Sequence, residues 1–432
     1  MCGVRSLLGE RTDDLVPASA VTFMRNLLDQ PERFDDSCLT APAKARRTLG
    51  KMSGRALVVG GTGPTGPYVV RGLRQRGYSV TMVHTGRHER DEVPADVTHV
   101  HTDPFDRGLL EPALDGATFD VGLVMYGRLR DVAEVLAGRV GHLVTVGGMP
   151  VLDGYGNPGD RSPAGMAVPT LETAPTTDAG AGGPRNAKAA RMVETERAVF
   201  AAHPSATHLR YPVVYGPHQL LPREWMVVRR ILDGRRRLIV PDGGLYLCSA
   251  VYAENAAHAV LLCVDQPGPA AGQIYHVSDQ TTPTLRQVIE IVASTLDHAF
   301  ELVGLPYDLA TPAHPLMMRA GAFHRYTPPR KLETELGYKD QVEVHEALAR
   351  TARWLVANRP EPGGTIERNL QDPFDYAVED ALMDAWEAAR LALQDAAGAA
   401  DPYFVDRYSP GREAARERRR AARGGAGRAQ NG

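Results

Sequence analysis

The four cysteines of this chain, Cys2, Cys38, Cys248 and Cys263, are scattered, and no C-x-x-C pair occurs. That absence excludes a disulfide framework and a zinc ribbon, and the cysteines read as reduced thiols, with Cys263 packed in the apolar run from Ala259 to Val264. No long apolar stretch opens the chain, so neither a signal peptide nor a membrane span is expected, and the cytoplasm is the expected compartment. Charge of neither sign dominates. A net charge of −3 argues against nucleic acid as the main partner. No G-x-S-x-G element is present, which leaves out a serine-hydrolase elbow.

What the chain does have is a glycine cluster between a strand and a helix. Leu57-Val58-Val59 is apolar and β-branched, Gly60-Gly61-Thr62-Gly63-Pro64-Thr65-Gly66 follows, and Val69, Val70 and Leu73 then recur at helical spacing. Gly60, Gly63 and Gly66 are spaced G-x-x-G-x-x-G, one residue off the dinucleotide fingerprint. Such a turn lets the backbone approach a diphosphate, with the positive end of the helix facing the anion. A hydrophobic content of 43% and a charged content of 23% over 432 residues allow a sizeable core, enough for two or three domains or one large α/β domain with extensions.

Residues 1–54 read as an N-terminal extension with one or two short helices, one of them around Ala20–Leu28. From Arg55 strands and helices alternate. The second strand runs from Ser79 to Val83 and ends in His84-Thr85-Gly86-Arg87-His88. A carboxylate at this point accepts from the adenosine ribose in an NAD site, whereas an arginine pairs the 2′-phosphate of NADP. Arg87 stands there and no acid does, so NADP is favoured, with NAD as second choice. The third strand (Val97–Asp103) carries Asp103 at its end, facing the adenine edge. The fourth (Phe119–Met125) leads into Tyr126, and the fifth (His142–Met149) into the segment ending at Tyr155. Residues 156–185 lack periodicity and are expected to form a mobile loop or lid. A helix over Asn186–Phe200 carries Lys188, and Thr207–Pro217 reads as a sixth strand. His84, His88, His99 and His101 have no neighbouring cysteine or spaced carboxylates, so they are expected to be structural and not a metal centre.

Taken together, the glycine turn, the helix with Lys188 and Glu196, and Leu209-Arg210-Tyr211-Pro212-Val213-Val214-Tyr215-Gly216-Pro217 resemble the extended short-chain dehydrogenase/reductases of the NAD(P)-dependent epimerase/dehydratase type. Downstream, Ser249–Ala259, Gly272–Asp279 and the capped helix from Thr282 to Val292 fit the same pattern, which spans roughly residues 55–355. The resemblance implies a Rossmann-type doubly wound parallel sheet (55–216) and a smaller C-terminal substrate lobe (217–358). It implies cofactor contacts from Gly60, Thr62, Gly63, Pro64, Thr65, Gly66, Arg87, Asp103, Tyr126, Lys188, Tyr211 and Val213, and reduction, epimerisation or dehydration of a small polar metabolite. One departure matters. Members of this family use Tyr-x-x-x-Lys, but with Lys188 as the lysine the tyrosine position is Pro184, and no tyrosine lies between Tyr155 and Tyr211. The serine or threonine after the fifth strand falls at Gly147-Gly148, with Thr145 the nearest hydroxyl.

Three readings follow. Lys188 acts without a tyrosine, as in the isoflavone-reductase-like group; Tyr155 or Tyr126 supplies the proton, with Thr145 alongside; or the fold binds nucleotide without turnover as a sensor or scaffold, a role that some relatives combine with RNA. Arg223, Arg229 and Arg230 fall where family members bind the distal, often phosphorylated, part of the substrate. Arg235-Arg236-Arg237 reads as a solvated turn. Residues 359–410 form a helical extension whose Ala377, Leu382, Ala385, Trp386, Ala389 and Leu393 are expected to dock on the main domain or on a second copy in a homodimer. The basic tail, 411–432, is expected to be disordered and is the one segment suited to nucleic acid.

Overall fold

The computed structural model describes residues 54–87, 90–125, 128–177, 183–317, 321 and 323–398. The expected helices of 1–53, Tyr126, His88 and the basic tail lie outside the described residues.

Strand β1 (Arg55–Val59) is buried on both faces, which is why its sequence is a continuous apolar run. Ala56 and Val58 join one core, Leu57 and Val59 another on the opposite side of the sheet. Helix α1 (Gly66–Gln75) follows the glycine turn, and β2 (Ser79–His84), β3 (Thr98–His101), α2 (Arg107–Ala113), β4 (Phe119–Met125), α3 (Leu129–Leu136) and β5 (Val140–Gly148) continue the alternation. Helix α4 (Gly183–Ala202) carries Lys188, and β6 (Thr207–Tyr211) follows it.

The expected sixth strand breaks at Pro212. Proline has no N–H for the ladder, and the chain leaves the sheet there: β7 (Val213–Tyr215) pairs in parallel with a later strand instead. Helix α5 (Glu224–Leu232), β8 (Arg237–Pro241), β9 (Ala250–Tyr252, the partner of β7), α6 (Ala253–Asp265), α7 (Pro267–Ala270) and β10 (Ile274–His276) come next. Then follow α8 (Leu285–Thr295), β11 (Glu301–Leu305), α9 (Arg330–Leu336), α10 (Val344–Ala357), α11 (Thr365–Leu370) and α12 (Tyr376–Gly398).

The main sheet has seven parallel strands in the order β10-β6-β5-β4-β1-β2-β3. Strand order reverses between β1 and β4, which opens a crevice at their carboxyl ends, the place where such sheets bind ligands. The lobe is built on a second parallel pair, β8 and β11, with Trp225, Met226, Ile239, Ile289, Val292 and Leu355 in its core. The segment expected to be a free lid is tied down where described: Leu152 bridges Thr176, and Thr170 N–H donates to the Tyr326 carbonyl.

The C-terminal helix docks on the lobe, but by a different face from the one its apolar spacing suggested. Met383 is buried and Leu382 and Trp386 are half-buried, whereas Ala377, Ala385, Ala389 and Leu393 are exposed. Charge sets the face. Arg230, 1% exposed, forks onto Asp372 at 2.7 and 3.1 Å and also pairs Glu379, both equally sealed. Arg229 bonds Asp233 and Glu367, Arg235 pairs Asp380, and Arg237 meets Asp384 at 2.6 Å. The expectation that Arg229 and Arg230 hold a substrate phosphate therefore fails, because both guanidinium groups are paired with the chain's own carboxylates. Arg235 and Arg237 likewise belong to this dock and not to a solvated turn.

Arg230→Ala strands two buried carboxylates, so chemical denaturation is expected to show a loss of about 3–5 kcal/mol. Arg237→Ala, which removes a more exposed pair, is expected to cost less than about 1 kcal/mol.

Candidate active site

The glycine turn sits at the carboxyl end of β1. Gly60 and Gly61 have φ of 95° and 82°, the left-handed region that glycine tolerates, and Gly60 N–H donates to the Val83 carbonyl at 2.9 Å. A Cβ at Gly61 would lie 2.9 Å from Val58, and one at Gly66 only 1.8 Å from the Gly61 carbonyl oxygen. The fold itself thus demands glycine at both. Gly63 is different. A Cβ there meets nothing within 4 Å, so no neighbouring atom of the chain explains why it is glycine. It faces open space between half-exposed Thr62 and Pro64, above buried Thr65 and Gly66. Pro64 and Pro67 carry no N–H, so the amides at the mouth of the turn are those of Thr62, Gly63 and Thr65.

Over this turn lies an arginine the sequence reading missed. Arg90 Nε donates to the Thr62 carbonyl at 3.1 Å, and its Nη1 donates to His218 Nδ1 at 2.8 Å. His218, receiving on Nδ1, donates from Nε2 to Glu92 at 2.7 Å. Burial pushes the Glu92 carboxyl up, but its own backbone N–H and His218 outweigh this and hold it below its ordinary value. The clasp joins the β2–β3 connection to the segment after β7. Its only sequence signal was a further arginine three residues beyond Arg87. Arg87 is exposed, near the end of β2. Asp103 is exposed too, and its carboxylate accepts the Phe105 N–H at 2.9 Å, a local turn contact.

At the carboxyl ends of β5 and β6 a cavity of about 370 Å³ is lined by Gly147, Gly148, Lys188, Met192, His208 and Tyr211, among others. Lys188 is exposed on α4, while Pro184 sits one turn earlier in the same helix. Thr145 is 0% exposed, so its hydroxyl reaches the cavity only through His208, whose Nδ1 lies 2.7 Å away. The His208 imidazole occupies the space that a side chain at 147 would need: a Cβ on Gly147 would be 2.5 Å from His208 Nε2. An imidazole from the neighbouring strand therefore stands where the resemblance expects a hydroxyl.

Beneath it, His208 Nε2 is 3.3 Å from Glu196 Oε1, and Arg210 grips Glu196 with two bonds of 2.9 and 2.8 Å. Burial alone would raise the Glu196 carboxyl, but His208 and Arg210 bring it down to about 2. The Thr145 hydroxyl thus meets the His208 ring on Nδ1, while Nε2 faces the Glu196 carboxylate.

Two tyrosines take other places than expected. Tyr155 is buried among Met149, Val151 and Val193, with Arg325 Nε donating to its carbonyl at 2.9 Å, and it does not line this cavity. Tyr211 lends its ring to the wall, but its hydroxyl donates to the Ala256 carbonyl at 2.9 Å. Val213 lines a separate pocket of about 90 Å³ with Arg223, Tyr246 and Cys248.

The fold, seven parallel strands flanked by helices with a smaller lobe, is the Rossmann-type doubly wound sheet that the resemblance implied, and solved structures share it. No protein-family model matches the chain. It is 26% identical over 305 residues to the 3-diazoavenalumate denitrifying reductase of a Streptomyces species, covering 66% of this chain and 95% of that protein. It is 24% identical over 170 residues to the uncharacterized protein YbjS of Escherichia coli (strain K12), a match spanning about half of that protein (49%) and 34% of this chain. Among solved structures, DesIV, the dTDP-glucose 4,6-dehydratase of Streptomyces venezuelae with NAD and TYD bound, superimposes with a TM-score of 0.53 at 23% identity, covering 71% of this chain and 98% of that one. None of the helices among the described residues is long and apolar enough to cross a membrane.

The depressed Glu196 carboxyl contributes stability that is fully present above the ordinary carboxylate range and is lost as pH falls through about 2. Glu196→Gln is expected to lose on the order of 3 kcal/mol at neutral pH. Urea unfolding repeated between about pH 5 and pH 2 is expected to show a flatter stability profile than the wild type. Gly63→Ala is expected to leave thermal stability unchanged while weakening dinucleotide binding about tenfold or more in a fluorescence titration.

Proposed function

We propose that the chain is an NADP(H)-dependent oxidoreductase of the extended short-chain type acting on a small polar metabolite, with an active site that works without the usual tyrosine. The observation that supports it most is the glycine turn at the carboxyl end of β1, where Gly60 and Gly61 take positive φ and a Cβ at Gly63 would meet nothing within 4 Å, in a sheet that also carries a cavity at the carboxyl ends of β5 and β6. The relative matched over nearly its whole length is named a reductase, and DesIV was solved with NAD.

The residues fit a dinucleotide. Thr62, Gly63 and Thr65 would offer amides to its diphosphate, Arg90 fixes the turn, and Arg87, exposed near the end of β2, would pair a 2′-phosphate. When bound, the dinucleotide supplies or accepts a hydride at its nicotinamide ring. Lys188, at the cavity wall, would hold the ribose and would supply the proton that passes to or from the substrate oxygen. His208 and Glu196 line the cavity, with Thr145 and Arg210 holding them from behind, and the His208 ring would face the reacting carbonyl. Arg223, lining the neighbouring pocket, is positioned for the distal part of the substrate.

A second reading, a nucleotide-binding sensor without turnover, is favoured by Pro184 in the tyrosine position. Titration with NADPH and NADH, followed by hydride exchange over a panel of carbonyl compounds including nucleotide sugars, separates the two. The enzyme reading expects saturable binding, with turnover in at least one case that falls by a factor of about 10² to 10⁴ in Lys188→Met. Arg87→Ala is expected to weaken NADPH much more than NADH. Binding of neither dinucleotide defeats both readings, and tight binding without exchange leaves the sensor.

A further inference from the structure

Strands β2 and β3 gather three histidines that are far apart in the chain's apparent logic but close in space. Register pairs His84 with His101 and Met82 with His99, so all three imidazoles project from one face of the sheet at its edge. One ring nitrogen from each lies within 4.8 Å of the others, and the three rings meet edge-on at centroid distances of 5.0, 4.8 and 6.0 Å. His84 is 4% exposed, while His99 and His101 are open to solvent.

The hydrogen bonds fix the protons. Gly86 N–H donates to His84 Nδ1 at 3.1 Å, so that nitrogen is bare and the proton sits on Nε2, which donates to His99 Nδ1 at 2.8 Å.

We propose that His84, His99 and His101 bind a divalent transition-metal ion of the kind imidazole prefers, with zinc as the ion tested. Tetrahedral zinc with nitrogen ligands holds them about 3.4 Å apart. The His84–His99 pair must open slightly and the widest pair must close by roughly 1.5 Å. Two exposed side chains can make that movement.

Entry of the ion exchanges the His84–His99 hydrogen bond for two metal bonds. His84 keeps one proton, which moves from Nε2 to Nδ1, and the Gly86 amide turns to water at its half-exposed, positive-φ turn. Three imidazoles leave a fourth position for water or an anion. The ion ties β3, a four-residue edge strand, to its neighbour. Hard, oxygen-seeking Mg²⁺ does not suit this donor set.

The test titrates the full, metal-stripped chain with Zn²⁺ alone, followed by calorimetry and thermal unfolding, with Mg²⁺ as control. The expected result is one saturable Zn²⁺ per chain and a raised Tm with zinc only. In the double variant His99→Gln/His101→Gln, which gives up the bond that His99 accepts from buried His84, the chain is expected to fold with a slightly lower metal-free Tm, zinc affinity to fall at least about tenfold, and the zinc-induced Tm shift to vanish. Absence of a saturable site, or equal binding by wild type and variant, overturns the proposal. Neither outcome depends on whether a dinucleotide binds.

Discussion

The architecture hinges on how closely the backbone of α1 approaches the turn that leads into it. The Gly61 carbonyl oxygen occupies the volume where any side chain at position 66 would start. That contact lets the helix begin immediately above the end of β1, which points its N-terminus at the crevice where strand order reverses. A larger residue at 66 would push the helix outward and close the space that Gly63 keeps open.

Much of the fold was legible because its signals are local. Continuous apolar strands mean a sheet buried on both faces, and regular alternation with helices means parallel crossovers. Pro212 could have been read as a break and was passed over because the residues around it are strongly β-forming. The parallel pair of β8 and β11 joins segments about sixty residues apart and leaves no mark in either. The face by which α12 docks is set by charge more than by apolar spacing, since Glu379, Asp380 and Asp384 recur along one side and meet the lobe's arginines.

The site was legible in part. The glycine turn and Lys188 came from motif and spacing. His208 carries no motif; it matters only because β6 lies beside β5 and a glycine at 147 leaves room for its ring. Arg90 belongs to the site through a carbonyl 28 residues away. Thr145 and Tyr155 are candidates for their hydroxyls, yet both are buried, Thr145 behind His208 and Tyr155 among apolar side chains. Chemical type is visible in a sequence; access is decided by packing.

The buried fork of Arg230 has an evolutionary corollary. Its counter-charges, Asp372 and Glu379, belong to the segment that follows the family pattern, while the arginine itself lies inside it. A shortened descendant that ended before Asp372 would keep a cation sealed in the lobe with nothing to neutralise it. Loss of the arm and replacement of residue 230 must therefore travel together through a lineage, and kin without the arm should carry an uncharged side chain at that position.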